Sequence, residues 1–393
     1  MTQAALTLNS GSSSIKFGLY SMEKEPLLIC QGEYEGFPER LHFSAHNVHG
    51  SLGDEIIHAK ANFEVALRHL LDWIKKTYPK IHLAAAGHRI VHGGARYSHS
   101  VRIDQNVLKY LETLIPFVPL HQPNNLAGFL TLQKLHPTLP QIGVFDTSFH
   151  HTQPKLATLF ALPYHFWEDG IRRYGFHGLS YRYISGTLPT LIGEKAKGKT
   201  VVAHLGNGAS MCALNDLKSI ATTMGLTALD GLPMGTRCGS IDPGVLLYLA
   251  SEKGYTNTEM TDLLYKKSGL LGLSDKSNDM RELLGLKTPQ ANEAVDYFCY
   301  HIQRKLGSLV AALGGLDTFV FTGGIGENAP LIRQKVCEGL KWLNIEFDQD
   351  LNSSPASHAF QINTPHSQTS VWVIPTNEEI IIAKDVAKLT QDG

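Results

Sequence analysis

LTLNSGSSSIKF, residues 6–17, sets a polar turn between two runs of alternating apolar residues, and TVVAHLGNGASMCAL at residues 200–214 repeats the arrangement. A period of two marks half-buried strands, so each segment predicts a strand, a tight turn and a returning strand. The first turn carries Asn9, Gly11, Ser12, Ser13, Ser14 and Lys16, and the second carries Asn207, Gly208 and Ser210. Gly11 and Gly208 permit close backbone approach, while hydroxyls, amides and a lysine suit a phosphoryl group. An ordinary serine-rich hairpin tip accounts for the first turn equally well on residue types alone. One such unit in each half of the chain predicts a duplicated domain.

At 393 residues the chain exceeds one typical core, and its 36 glycines amid ordinary apolar content point to a two-domain α/β protein. A net charge of −1 without long basic runs gives no electrostatic footprint for nucleic acid, so small molecules are the expected partners. Five scattered cysteines without a CxxC disfavour both a disulfide framework and a zinc site. The N-terminus lacks the features of a secretory signal and no apolar run is long enough to span a bilayer, which predicts a cytoplasmic protein without membrane association.

Between the two hairpins, Asn62–Tyr78 has the apolar spacing of an amphipathic helix, whereas residues 31–60 are mixed, with His42–Ala45 as a strand candidate. IHLAAAGHRIVHGG and QIGVFDTSFH each read as a strand delivering a charged side chain at its end, Arg89 and Asp146. Residues 105–115 read as a helix and PFVPLHQPNN as a proline-rich loop with His121. IRRYGFHGLS leads from a turn bearing His177 into a helix capped by Ser180. Arg237 stands among small residues in MGTRCGS, a long helix runs from Glu293 to Leu313, and VWVIPTNEEIIIAKD reads as a strand, a turn and a closing helix.

Two phosphate-type patterns need context. Gly193–Thr200 fits the Walker A expression, but a helical segment precedes it and a strand follows, the reverse of what that loop requires, so Lys199 reads as a solvated loop lysine. Gly324-Ile-Gly326-Glu-Asn-Ala329 follows a strand and precedes a helix, as a dinucleotide fingerprint would, with Glu346 further on. A dinucleotide oxidoreductase therefore stays as an alternative, beside a turn that carries one end of a nucleotide. The pairs His88/His92 and His150/His151 lack the helical spacing of a metal face.

With these pieces assembled the chain resembles the acetate kinase family, within the acetate and sugar kinase, Hsp70 and actin group. The resemblance rests on NSGSSSIKF, HRIVHGG, PLHQPNN, FDTSFH, RRYGFHGLS, AHLGNGAS, MGTRCGSIDPG, SNDMR, TGGIGEN and IPTNEE, in order from end to end. It implies duplicated ribonuclease H-like (actin-like ATPase) α/β domains with the active site in the interdomain cleft. The expected domains are residues 1–150, completed by a C-terminal helix at 380–393, and a nucleotide-binding domain at 151–379. The implied reaction is reversible transfer of the ATP γ-phosphoryl to acetate, with Mg²⁺ or Mn²⁺, in a homodimer.

Carried over by motif, Asn9 and Glu378 resemble the magnesium pair, and Lys16, Ser12 and Ser14 the contacts to the transferring phosphoryl. Arg89 and Arg237 resemble the guanidinium clamp, His177 the transition-state donor, and Asp146 the catalytic carboxylate, with its role open among orienting substrate, fixing an arginine and assisting the metal. The resemblance assigns the nucleotide to His204, Leu205, Gly206, Asn207 and Gly208, to Asp279, Met280 and Arg281, and to Gly324, Ile325, Gly326, Glu327 and Asn328. It lines the acyl pocket with Val91, Leu120, Phe176 and Ala228, the last often proline in the family, so the wider pocket predicts relaxed preference between acetate and propionate. A second departure is Tyr181, where family members often carry histidine. A propionate or other short-chain acyl kinase is the nearest alternative, and a non-catalytic actin/Hsp70-like ATP-binding protein is the alternative of another class.

Overall fold

The computed structural model describes residues 2–11, 14–37, 39–57, 62–354 and 358–391. The chain forms two compact units, Met1–Phe149 with Asn377–Gly393, and His150–Thr376. Each is built on one sheet.

In the first unit, β1 (Thr2–Ser10), β2 (Ser14–Ser21), β3 (Leu28–Glu35), β4 (Leu41–Asn47), β5 (Gly50–Ile57), β6 (Ile81–Ile90), β7 (Val101–Arg102) and β8 (Gln141–Phe145) lie in the order β5-β4-β3-β2-β1-β6-β8-β7. The predicted hairpin is β1 and β2, antiparallel with Asn9 opposite Lys16. Leu6, Leu8, Ile15, Phe17 and Leu19 turn to one face and form a core with Ala66, Leu67, Leu70 and Ile74 of the helix Phe63–Thr77. Asn62 caps that helix through Val65 N at 2.9 Å. The closing helix Glu378–Gln391 packs against β1 and β6, where Gly87 leaves room for Ile382 and Val386.

In the second unit, β9 (Thr200–Leu205), β10 (Ala209–Asn215), β11 (Lys218–Thr222), β12 (Thr318–Thr322), β13 (Phe360–Gln361) and β14 (Ser370–Val373) lie in the order β11-β10-β9-β12-β14-β13. The series β3-β2-β1-β6-β8 and β11-β10-β9-β12-β14 share one plan, an antiparallel meander whose first strand in the chain, β1 or β9, pairs in parallel with a fourth strand, which pairs in parallel with a fifth. The duplication expected from the two hairpins is thus present in strand order and direction.

Three local expectations are corrected, while the strand candidate His42–Ala45 lies within β4. The mixed stretch holds most of β3, all of β4 and all of β5; β5 is polar and largely uncovered, so it carries no alternation to read. Gln122, Pro123, Asn124 and Asn125 open the helix Gln122–Leu135 instead of continuing a loop, with proline in the first turn, where its missing N–H costs nothing. The glycines of TGGIGEN are themselves a short helix, Gly323–Asn328, because Glu327 Oε1 accepts from Gly323 N at 2.8 Å and closes the turn from within. That helix replaces the glycine turn a dinucleotide fold requires. Ser180 does not cap its helix: His177 stands at the N-cap with φ 57° and ψ 26°, and Ser180 Oγ bonds His204 Nδ1 at 2.8 Å. The Walker-like segment is a 3₁₀ turn followed by β9, and Lys199 donates to Gly314 O at 2.7 Å, at the end of the helix Pro289–Leu313.

Two buried histidines make stability acid-sensitive. Burial lowers the pKa of His88, beside Gln141, and of His150, beside Phe176 O, from 6.5 to about 4. A depressed folded-state pKa gives stability that is present above 6.5 and lost as pH falls through about 4, by about 3 kcal/mol at most for each ring. Urea midpoints should fall over that window, and His88→Gln should flatten part of the slope; a midpoint that ignores pH there contradicts this.

Candidate active site

The first unit gathers four predicted residues, Asn9, Arg89 and Asp146 at the ends of its central strands and Glu378 at the start of the closing helix. Arg89, near the end of β6, donates to Asp146 through Nε at 3.0 Å and Nη2 at 2.6 Å, a bidentate pair. Its Nη1 reaches Asn9 Oδ1 at 3.3 Å, and Glu378 Oε2 lies 3.8 Å from Nε. Asp146 is 1% exposed, Arg89 20% and Glu378 18%, so the cluster is half closed. Burial opposes the Arg89 charge, and Asp146 and Glu378 more than offset it, so the guanidinium stays ionised. Burial, opposed by Arg89 and Lys16 and helped by the Asp146 and Glu379 carboxylates, pushes the Glu378 carboxyl up to about 7. Lys16 is exposed on β2 and Ser14 begins that strand, while Ser12 lies outside the described residues.

Three carboxylates, Asp146, Glu378 and Glu379, thus act against two cations, Arg89 and Lys16, around oxygen donors. Asn9 Oδ1 and the Glu378 carboxyl are hard oxygen donors of the kind a small divalent cation takes. Among the described residues no group of three or more His, Cys, Asp or Glu could hold a metal ion.

The backbone under this cluster is set by side chains that motif reading passes over. Asn125 donates to Ser10 O at 2.8 Å and accepts from Val91 N at 3.0 Å, tying the end of β1 to the end of β6. Gln122 bonds both backbone groups of His92, at 3.3 and 3.1 Å. Both are buried amides on the helix Gln122–Leu135, and buried amides must be satisfied. Val91 is buried and Leu120 is half-buried.

The second unit gathers the others around the β9–β10 turn. An added Cβ at Gly208 would stand 3.3 Å from His177 Nε2 and 3.9 Å from Arg237 Nη1, so these two side chains converge on the bare glycine. Arg237 Nη1 donates to Ala228 O at 3.0 Å, and Ala228 and Phe176 are buried. His204 stacks on His177, ring centroids 4.4 Å apart. Asn207 meets Asn278 Nδ2 at 3.4 Å and its carbonyl accepts from Gly235 N at 2.9 Å, which ties the turn to both the arginine loop and the start of the helix Met280–Leu286. Asp279 caps that helix through Arg281 N, and the exposed Arg281 side chain folds back onto it, holding its carboxyl down to about 2. Gly323 packs on Leu205, so the helix with Gly324, Ile325, Gly326, Glu327 and Asn328 adjoins the same turn. Glu327 is spent inward, on Gly323 N and on Thr376 N at 3.0 Å.

The description of the family model that matches residues 4–384 is "Acetokinase family". An acetate kinase of Rhodopseudomonas palustris is 52% identical over 398 residues, covering all of both chains. A crystal structure of Porphyromonas gingivalis acetate kinase superposes with a TM-score of 0.87 at 37% identity, covering 98% of this chain and 99% of that one. A propionate kinase structure from Francisella tularensis gives 0.90 at 36%, with the same coverage.

Proposed function

The chain belongs to the acetokinase family, and on that premise we propose that it transfers the γ-phosphoryl of ATP to acetate, reversibly, giving acetyl phosphate and ADP. The observation that carries the reading is Arg89, a charged guanidinium held in one orientation by both oxygens of a buried Asp146. A carboxylate oxygen attacks the γ-phosphorus and the bond to the β-phosphate oxygen breaks; acetate is already ionised, so no base is needed. The protein then has to align reactants and neutralise charge. Arg89, Arg237, Lys16 and His177 supply fixed donors, with Ser14 and Ser12 beside the phosphoryl. Both oxygens of Asp146 are engaged by Arg89, which supports its fixing that arginine among the three roles the resemblance left open.

Asn9 and Glu378 would hold Mg²⁺ or Mn²⁺, which when bound supplies further charge neutralisation. The nucleotide falls to His204–Gly208, Asp279–Arg281 and Gly324–Asn328; what supports this is that the latter two segments adjoin the first. ADP release that depends on acetate tests the reaction, whereas ATP hydrolysis indifferent to acetate would favour the actin/Hsp70-like alternative.

For the acyl group, Val91, Leu120, Phe176 and Ala228 are the proposed apolar wall. Since a methylene in such a pocket is worth about 1–3 kcal/mol, Ala228→Pro should lower the propionate-to-acetate ratio of kcat/KM by about tenfold. A ratio unchanged by the substitution counts against this wall.

We also propose a homodimer. The helix Pro243–Glu252 has no buried residue, and Leu247 is 72% and Tyr248 53% exposed, an apolar surface a second copy could cover. Leu247→Glu should turn the dimer into a monomer by light scattering; an intact dimer places the interface elsewhere. A cytoplasmic location is supported by five cysteines without a disulfide. Among the described residues, no helix is long and apolar enough to cross a membrane.

A further inference from the structure

His177 is held by a relay that decides where its proton sits. Ser210 Oγ lies 2.8 Å from His177 Nδ1, and Tyr181 Oη lies 2.5 Å from the same Ser210 Oγ. Tyr181 and Ser210 are both fully buried. Among the described residues these two bonds are all that Ser210 Oγ makes. A serine hydroxyl has one proton to give and lone pairs to accept with. A phenol is the stronger acid and the poorer acceptor of the two, so Tyr181 donates and Ser210 accepts. The proton of Ser210 then has one destination, Nδ1 of His177. Nδ1 is therefore an acceptor, and the proton of the neutral imidazole stands on Nε2, the ring nitrogen beside Gly208.

We propose that Tyr181, acting through Ser210, locks neutral His177 in the Nε2–H tautomer and so makes it a hydrogen-bond donor toward the transferring phosphoryl. The catalytic half of this rests on the reading of His177 as transition-state donor; Tyr181 is a positioning residue. The lock matters because the alternative way to place a proton on Nε2, the imidazolium, is opposed by its surroundings. Arg237 Nη1 shares the space beside Gly208, His204 stacks on the ring, and His177 stands at the N-terminus of the helix Gly178–Ile192, where the helix dipole disfavours a cation. With Tyr181 changed to phenylalanine, the Ser210 hydroxyl is free to turn and accept from Nδ1–H, which leaves a lone pair on Nε2 aimed at anionic oxygens. Donation then requires the imidazolium.

The test is ¹⁵N spectroscopy of the full-length protein labelled at histidine, with the His177 resonances identified by their loss in His177→Gln. The wild type should show Nε2–H, and Tyr181→Phe should populate Nδ1–H. The same variant should lose about a hundredfold in kcat at neutral pH, as for a lost preorganised donor, recover part of it as pH falls, and keep its KM for ATP. Nδ1–H in the wild type, or an unchanged tautomer in Tyr181→Phe, overturns the lock. Should Tyr181→Phe fail to fold, the wild-type spectrum and Ser210→Ala, which removes the relay, still decide it. If His177→Gln keeps full kcat while the wild type shows Nε2–H, the catalytic half falls and the tautomer assignment stands.

Discussion

Arg89→Ala should lower kcat for acetyl phosphate formation by about a thousandfold or more, the effect of losing a preorganised donor and its charge together. The loss extends beyond one contact, because Asp146, 1% exposed, would keep its charge with its bidentate partner gone. Stranding one member of a buried pair costs about 3–5 kcal/mol, so the first unit should also lose stability. Arg89→Lys should restore little activity, since an ammonium cannot serve both oxygens of Asp146 and reach Asn9 as the planar fork does. The double variant Arg89→Ala/Asp146→Ala separates the two losses: stability should recover relative to the single variant, and activity should not. A kcat within tenfold of the wild type in Arg89→Ala would remove this arginine from the chemistry.

Arg333→Leu should destabilise the second unit by about 3–5 kcal/mol and raise the KM for ATP. Arg333 is wholly buried, and it has no carboxylate partner among the described residues. Its guanidinium instead gives Nε to Asn352 Oδ1 at 2.7 Å, Nη2 to Asn352 O at 2.7 Å, and Nη1 to Gly326 O at 2.9 Å and Glu327 O at 2.7 Å. Burial brings its pKa down to about 10, still charged at neutral pH. A cation on the last carbonyls of the helix Gly323–Asn328 suits that end of the helix dipole. Leucine fills the volume and leaves four acceptors without a donor. If urea unfolding shows the destabilisation while the KM for ATP stays at the wild-type value, the Gly324–Asn328 segment does not hold the nucleotide.

The features that could be read from sequence are those whose cause is local. Alternation at Leu6, Leu8, Ile15, Phe17 and Leu19 gives β1 and β2, and the 3.6 period with Asn62 gives the helix Phe63–Thr77. Arg89 and Asp146 could be placed near strand ends because apolar runs lead into both, but their mutual bidentate pairing spans 57 residues and follows from β6 and β8 lying side by side. What escaped reading has non-local causes. Glu327 turns inward to close a helix over glycines that locally favour a turn, Asn125 satisfies backbone groups from two strands, and Ser180 bonds a histidine of β9 in preference to its own helix. Each is a polar side chain whose partner is supplied by another element, and its signal in the sequence is only a polar residue where the surroundings are apolar.

Movement of phosphoryl from ATP to a short carboxylate leaves an acyl phosphate, which hydroxylamine traps as its hydroxamate. With Mg-ATP and matched concentrations of acetate, propionate and butyrate, hydroxamate should form from acetate, less from propionate and least from butyrate. ATP consumed with no hydroxamate from any of the three acids would contradict that transfer.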